Sequence, residues 1–351
     1  MNIYLYPPPN KNSRFFDEYY SALMQKSDET IKVRILEPQS RFGRKLYTCI
    51  ISRFVNKFPR LLPMLINCLT RNDRGGVVHF TTQLSVQPHI KNRFIFTYHD
   101  VLHMQPQWTG RFYGRDTLDR IDYAYKKAAL IVTVSEFSKK LLQLYYPCDK
   151  KIAVVPPPIV PAGQLNKNMK PIHNHILFVG SAHPRKNLLF FLESIALMKE
   201  FDLKVSVVCR LSGGQYYDGF SYLVNKLGLK NLTLYESVST QVLDELYASA
   251  SVFCFPTLTE GFGMPPVEAQ MRGIPVIASD IPICHEVLGD SCLYFNPLDV
   301  DDIREKIRML IEDRNEEIRT MLIEKGYQNA KKYDIDTSVT AQFEVYRECI
   351  K

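Results

Sequence analysis

Short apolar runs rich in valine, isoleucine and aromatic residues alternate with amphipathic stretches along nearly the whole chain. Runs of this kind, bounded by turn residues and separated by helical patterns, mark parallel α/β architecture. In the first half the pattern predicts a strand at the N-terminus, followed by strands at 77–80, 94–98, 129–134 and 151–155. A helix is expected from Ser135, a good N-cap, to about residue 146. Beyond residue 170 the alternation restarts, with strands at 175–180, 203–209, 231–235, 251–255 and 275–278. Helices are expected there at 187–199, 217–227, 239–249, 266–272, 301–313 and 316–332. Between the halves Pro156, Pro157, Pro158 and Pro161 fall within six residues, which neither a helix nor an interior strand accommodates. The expectation is therefore an α/β chain of two doubly wound, Rossmann-like domains, 1–160 and 161–335, joined by a proline-rich hinge.

Composition narrows the class. The chain has 351 residues, 46% of them hydrophobic and 23% charged, which excludes disordered, collagen-like and disulfide-miniprotein classes. No run of eighteen apolar residues occurs, so no membrane-spanning helix is expected. The N-terminus lacks a basic start and a long apolar stretch, so no signal peptide is expected either. Eight cysteines form no Cys-x-x-Cys pair, and Cys209 and Cys254 sit inside apolar strands as small hydrophobes. Zinc sites and disulfides are not expected, and a reducing cytoplasm is the simple reading.

The net charge of +7 is unevenly spread, for 41–71 holds seven Lys or Arg and no Asp or Glu. Tyr47, Ile50, Ile51, Phe54, Val55 and Phe58 recur there at helical spacing. Two readings stand open: a basic amphipathic helix lying on an anionic membrane surface, or a helix whose apolar face meets the sheet. Nucleic acid is not an expected partner, because no recognition motif accompanies the charge.

The most informative segment is 256–279. A strand ends, a loop carrying Glu260, Gly261, Phe262, Gly263 and Met264 follows, and Pro265 or Pro266 suits the first helical position. A turn from strand to helix aims free N–H groups and a positive helix end at an anion such as phosphate, and the glycines allow close backbone approach. Glu260 and Glu268 are placed to accept hydrogen bonds from sugar hydroxyls. Taken alone, the same residues also fit a plain turn with Glu268 complementing the helix dipole.

The Glu260-x7-Glu268 spacing, with 246–256, 273–279 and 285–290 around it, resembles the signature of the retaining nucleotide-sugar glycosyltransferases of family 4. These have the GT-B fold, two Rossmann-like domains facing each other across a cleft. The segment 178–187, with Gly180, Ser181, Arg185 and Lys186, is similar to the family's glycine turn with a basic pair. Residues 133–140 and 154–158 resemble the end of its first domain, so the likeness spans roughly 95–350. It implies that Glu260 bonds the donor sugar, that Glu268 bonds the ribose, and that the Phe262 to Met264 amides hold the diphosphate with Lys186 and Arg185. His99 and Asp100 resemble the family's first-domain His-Asp pair, with His99 near the reacting carbon. The bland readings are a solvated basic pair for Arg185 and Lys186 and a core histidine for His99. Glu286 is read equally as a donor contact or a turn cap. The last segment, 336–351, resembles the family's final helix, which crosses back onto the first domain.

The resemblance further implies an acceptor-binding first domain, a donor-binding second domain, and closure about the hinge that excludes water. The donor is a GDP- or UDP-linked hexose, with mannose favoured on the Pro184-Arg185-Lys186-Asn187 segment, and the acceptor a glycan or lipid-linked saccharide. No metal or other cofactor is expected, and a cytoplasmic protein at the inner face of the membrane is the implied location. An inactive sugar-nucleotide-binding subunit and a nucleotide-sugar hydrolase or epimerase are the alternatives. Two departures stand out: Ser181 occupies a position that is basic in many members, and Pro7 to Asn12 replace a glycine-rich loop, leaving residues 10–13 as mere candidates. Asp299-Val-Asp301 has metal-transferase spacing, but Asp301 and Asp302 read as helix N-caps. The Gly261-x-Gly263 pair lacks the rest of a dinucleotide fingerprint.

Overall fold

A computed structural model describes residues 1–6, 14–36, 61–101, 104, 105, 107, 113–147, 150–160, 171–210, 215–229 and 231–349. The candidates at 10–13, the basic stretch up to residue 60 and the linker at 161–170 lie outside the described residues. The chain divides into two compact units, Met1–His103 with Tyr113–Pro158 and Ile335–Lys351, and Met104–Phe112 with Ile159–Asp334.

In the first unit β1 (Asn2–Tyr6), β2 (Lys32–Ile35), β3 (Val77–Phe80), β4 (Arg93–Tyr98), β5 (Leu130–Thr133) and β6 (Ile152–Val154) form a parallel sheet in the order β2-β1-β3-β4-β5-β6. Helices α1 (Arg14–Gln25), α2 (Leu61–Leu69), α3 (Arg115–Lys127) and α4 (Glu136–Tyr145) belong to it. Strand residues alternate between two faces, and both are covered, which is why the strands read as almost continuous apolar runs. Ile3, Leu5, Val77 and Ile95 face one core; Tyr6, Val78, Phe80, Phe94 and Phe96 face the other, with Ile121 of α3 and Leu142 of α4. Ser135 caps α4 as expected, its hydroxyl accepting from the Ser138 N–H at 3.0 Å.

In the second unit β7 (His175–Ser181), β8 (Lys204–Arg210), β9 (Leu232–Tyr235), β10 (Val252–Phe255), β11 (Val276–Ser279) and β12 (Leu293–Phe295) form a parallel sheet ordered β12-β11-β10-β7-β8-β9. Its helices are α5 (Leu188–Ala196), α6 (Gln215–Leu227), α7 (Thr240–Ser249), α8 (Met264–Met271), α9 (Pro282–Leu288), α10 (Val300–Ile311) and α11 (Glu316–Ala330). Strand order reverses between β7 and β10, so the connections leaving these two strands run to opposite sides and open a crevice at their carboxyl ends. The α/β class and the two doubly wound sheets agree with the sequence pattern.

In the first unit β2, α1 and α3 are not expected from the pattern, and in the second unit three details differ from it. The seven-residue α9 and three-residue β12 are too short to show a periodicity. Helix α8 begins at Met264, with Pro265 and Pro266 at its second and third positions, where a missing N–H also costs no bond. The cap of α10 is Asp299, accepting from the Asp301 and Asp302 N–H groups at 2.9 and 3.2 Å, while those two aspartates fill the first turn.

The C-terminal helix α12 (Ile335–Glu348) packs with α1 on the first sheet through Val339, Phe343 and Tyr346. One buried histidine ties it there. His79 on β3 meets the Tyr346 hydroxyl at 2.8 Å through Nδ1 and Thr97 Oγ1 at 2.9 Å through Nε2. Burial, followed by the neighbouring His99, lowers its pKa from 6.5 to about 3. Among the described residues no helix is long and apolar enough to cross a membrane.

Between pH 6.5 and 3 the unfolded chain protonates His79 and the folded one does not, so stability is lost as pH falls through that window. The loss from this residue approaches about 1.4 kcal/mol per pH unit. Urea midpoints measured from pH 7 to 4 should fall less steeply in His79→Gln than in the parent; parallel curves would refute the assignment.

Candidate active site

The crevice of the second sheet is built from the loops that follow β7 and β10. After Ser181, Pro184–Lys186 forms a single 3-10 turn that ends on Asn187 in the left-handed region, φ 55°. After β10, residues 256–260 run alongside it. The Leu258 N–H donates to the Arg185 carbonyl at 2.7 Å. The fully buried Thr257 hydroxyl lies 3.0 Å from that carbonyl and 2.9 Å from Glu260 Oε1. Two loops far apart in sequence are thereby locked into one surface.

At its centre Glu260 takes an ion pair at each carboxylate oxygen: Oε2 with Arg185 Nη1 at 2.6 Å, and Oε1 with Lys186 Nζ. The three side chains are 9%, 16% and 10% exposed, respectively. Burial pushes the Glu260 carboxyl up, but the Lys186 and Arg185 charges and their hydrogen bonds outweigh it and hold it below the ordinary carboxylate range. Lys186 also lies 5.5 Å from the Phe255 ring centroid. Gly180 makes room for it, since a Cβ there would stand 3.1 Å from the Phe178 ring and 3.7 Å from Lys186 Cδ. Burial lowers the Lys186 pKa and the Glu260 carboxylate opposes that; with Lys186 protonated, two cations stand against one carboxylate and the cluster is net positive.

Beside it, Gly263 caps α8 at φ 94°, where a Cβ would be strained and would stand 3.1 Å from the Phe255 ring. Phe262 is buried edge-on against Tyr333, 5.1 Å between centroids, which anchors the loop. Prolines at 265 and 266 remove two of the N–H groups a helix start normally presents, leaving those of Gly263 and Met264. The combination of a positive helix end and a basic pair suits a diphosphate. Glu268 follows in the second turn of α8, its Oε2 accepting from the Tyr247 hydroxyl at 2.8 Å. Burial raises its pKa against the opposing effects of Tyr247 and Arg272.

His99 and Asp100 belong to the first unit, at the end of β4. His99 Nε2 is 2.8 Å from the Thr81 carbonyl, which can only accept, so Nε2 carries a proton. Gln83 grips the segment twice, accepting from the His99 N–H and donating to the Asp100 carbonyl, both at 3.2 Å. Arg185, Lys186, Glu260, Gly180, Ser181, Gly261, Phe262, Gly263, Met264 and Glu268 all lie in the second unit. Glu286 sits exposed within α9, past its first turn. Thr257, Tyr247, Arg272 and Gln83 were not legible as site residues, because their roles depend on contacts across elements. Among the described residues no cluster of three or more His, Cys, Asp or Glu could hold a metal.

Residues 36–162 match the family model for Glycosyltransferase Family 4, and 164–329 match that for Glycosyl transferases group 1. The chain is 28% identical to the O-antigen chain mannosyltransferase B of Escherichia coli, over 74% of this chain and 71% of that one. It is 34% identical to the O-antigen chain mannosyltransferase RfbU of Salmonella typhimurium, over 50% of this chain and 48% of that one. The fold is similar to that of HepE from Anabaena in complex with UDP and glucose, with a TM-score of 0.74, 13% identity and 99% coverage of both chains.

Removing Glu260 leaves two nearly buried cations without a counter-charge, and such a loss typically costs about 3 kcal/mol. Glu260→Gln should therefore lower the urea midpoint more than Lys186→Met, which leaves the Arg185–Glu260 pair intact. The reverse order would contradict the arrangement.

Proposed function

Starting from a chain that is a glycosyltransferase of the GT-B fold, we propose a retaining hexosyltransferase that uses a nucleotide diphosphate sugar and no divalent cation. Mannose is the favoured sugar, supported by two mannosyltransferase relatives, and a growing surface polysaccharide or lipid-linked saccharide is the acceptor. The observation that carries the reading is the net-positive Arg185–Lys186–Glu260 cluster beside the start of α8, at the switch point of a parallel sheet.

Transfer breaks the bond between the sugar's anomeric carbon and the diphosphate oxygen, and negative charge grows on the departing group. Arg185, Lys186 and the Gly263 and Met264 amides are the preorganised donors that meet this charge. Glu260, ionised and fixed by its pairs, positions the sugar, and Glu268 takes the ribose hydroxyls. No residue is assigned as a nucleophile. The acceptor oxygen attacks from the face the diphosphate leaves, and its proton passes to that diphosphate, so the anomeric configuration is kept. The part in transfer that the resemblance gives His99 is kept within the same proposal. A GDP- or UDP-linked donor and an anionic membrane surface for 41–71 belong to the same proposal.

The test incubates the protein with GDP-mannose or UDP-glucose, a lipid-linked saccharide and excess chelator, and follows product by NMR. Retained configuration and undiminished turnover are expected. Loss of turnover with chelator, or an inverted product, refutes the reading. Lys186→Ala should reduce kcat by about a hundredfold, the typical cost of one such donor. Donor consumption without acceptor would instead favour a hydrolase, and binding without turnover an inactive subunit.

A further inference from the structure

Glu268 stands at the end of a chain of contacts that the transfer chemistry does not use. Tyr247 of α7 is fully buried, its ring parallel to Phe253 of β10 at 5.9 Å. Its hydroxyl donates to Glu268 Oε2 at 2.8 Å. The guanidinium of Arg272, whose side chain is 3% exposed, lies 4.5 Å from the Tyr247 ring centroid. Arg272 donates through Nη1 to the Glu268 carbonyl at 2.9 Å and pairs through Nη2 with Asp244 at 2.9 Å. Glu268 is thus held at its main chain by one residue and at its carboxylate by another, and those two are packed on each other. Its Oε1 has no hydrogen bond or ion pair with another described residue.

We propose that Tyr247 is a positioning residue of the nucleotide site: it occupies Oε2 of Glu268 and dedicates Oε1 to a ribose hydroxyl, with Arg272 and Asp244 holding Tyr247 in place. The inference rests on the reading that Glu268 takes the ribose. The chemistry follows from burial. A phenol with no access to water must find an acceptor, and a carboxylate held by a buried donor loses the rotamer freedom it would otherwise spend on binding. The groups facing Glu268 also set its charge. Burial favours the neutral acid, Tyr247 and Arg272 favour the carboxylate, and Asp244 opposes them. A protonated Glu268 is a poorer acceptor, so affinity falls as pH falls, and without the tyrosine hydroxyl that fall begins at higher pH.

The experiment titrates GDP, UDP and their 2′,3′-dideoxy counterparts into the full chain by calorimetry from pH 8 to 5.5. The parent is compared with Tyr247→Phe, Glu268→Gln and the double variant. Tyr247→Phe should weaken the ribonucleotide about tenfold, as expected for one lost hydrogen bond to a charged group. It should leave the dideoxy probes unchanged, add nothing to Glu268→Gln, and move the acid limb of binding to higher pH. In turnover the donor KM should rise with a much smaller fall in kcat. Equal weakening of ribo and dideoxy probes, or parent-like affinity, overturns the role of Tyr247. If Glu268→Gln binds ribonucleotides as the parent does, the ribose reading itself fails, whatever Tyr247→Phe shows. Should Tyr247→Phe not fold, Asp244→Asn keeps the phenol and loosens Arg272; a smaller shift confined to the ribo probes is expected, and no shift overturns the proposal.

Discussion

One carboxylate shared between two cations organises the second unit. Glu260 leaves β10 and Arg185 and Lys186 leave β7, and strand order reverses between these neighbours in the sheet. A parallel sheet always leaves a crevice at such a point, but it does not decide the crevice's charge. Here the charge follows from stoichiometry: one anion neutralises one cation, and the second remains. Burial makes the imbalance effective, because a charge removed from water interacts more strongly with whatever enters. Thr257, Gly180 and Phe255 shape the space in which the three side chains meet.

The two glutamates of the site show how environment divides identical side chains. Both are largely withdrawn from solvent, which favours the neutral acid. Glu260 is surrounded by cations and stays ionised; Glu268 is offered a phenol and a more distant guanidinium, and burial prevails. The first is therefore a fixed, ionised anchor for the two basic side chains. The second is a hydrogen-bonding group whose charge responds to its neighbours. Gly263 and the two prolines after it complete the division by limiting the helix start to a few amide donors.

Much of the fold was legible in the sequence, since strands buried on both faces must be apolar throughout and helices between them must be amphipathic. That pattern located β3 to β11 and most of the helices of the second unit. It missed α9 and β12 because elements of seven and three residues complete too little of a period. It displaced the α10 cap by two residues because three aspartates stand together, and only the backbone geometry shows that Asp299 is the one outside the helix. His79 was hidden in an apolar strand, and nothing in its own segment reveals a tyrosine partner 267 residues away.

For the site, the residue types and their order along the chain determined the chemistry: two carboxylates eight positions apart, a glycine turn and an adjacent basic pair. These are local facts, fixed by strand, turn and helix chemistry over a few residues. Pairing was decided only in three dimensions. Arg185 and Lys186 were read as facing a ligand, and the structure joins them to Glu260, some 74 residues on, while Tyr247 and Arg272 close on Glu268 from α7 and the end of α8. Side-chain contacts of that kind depend on which strands the sheet makes neighbours, and strand order is a property of the whole packed unit.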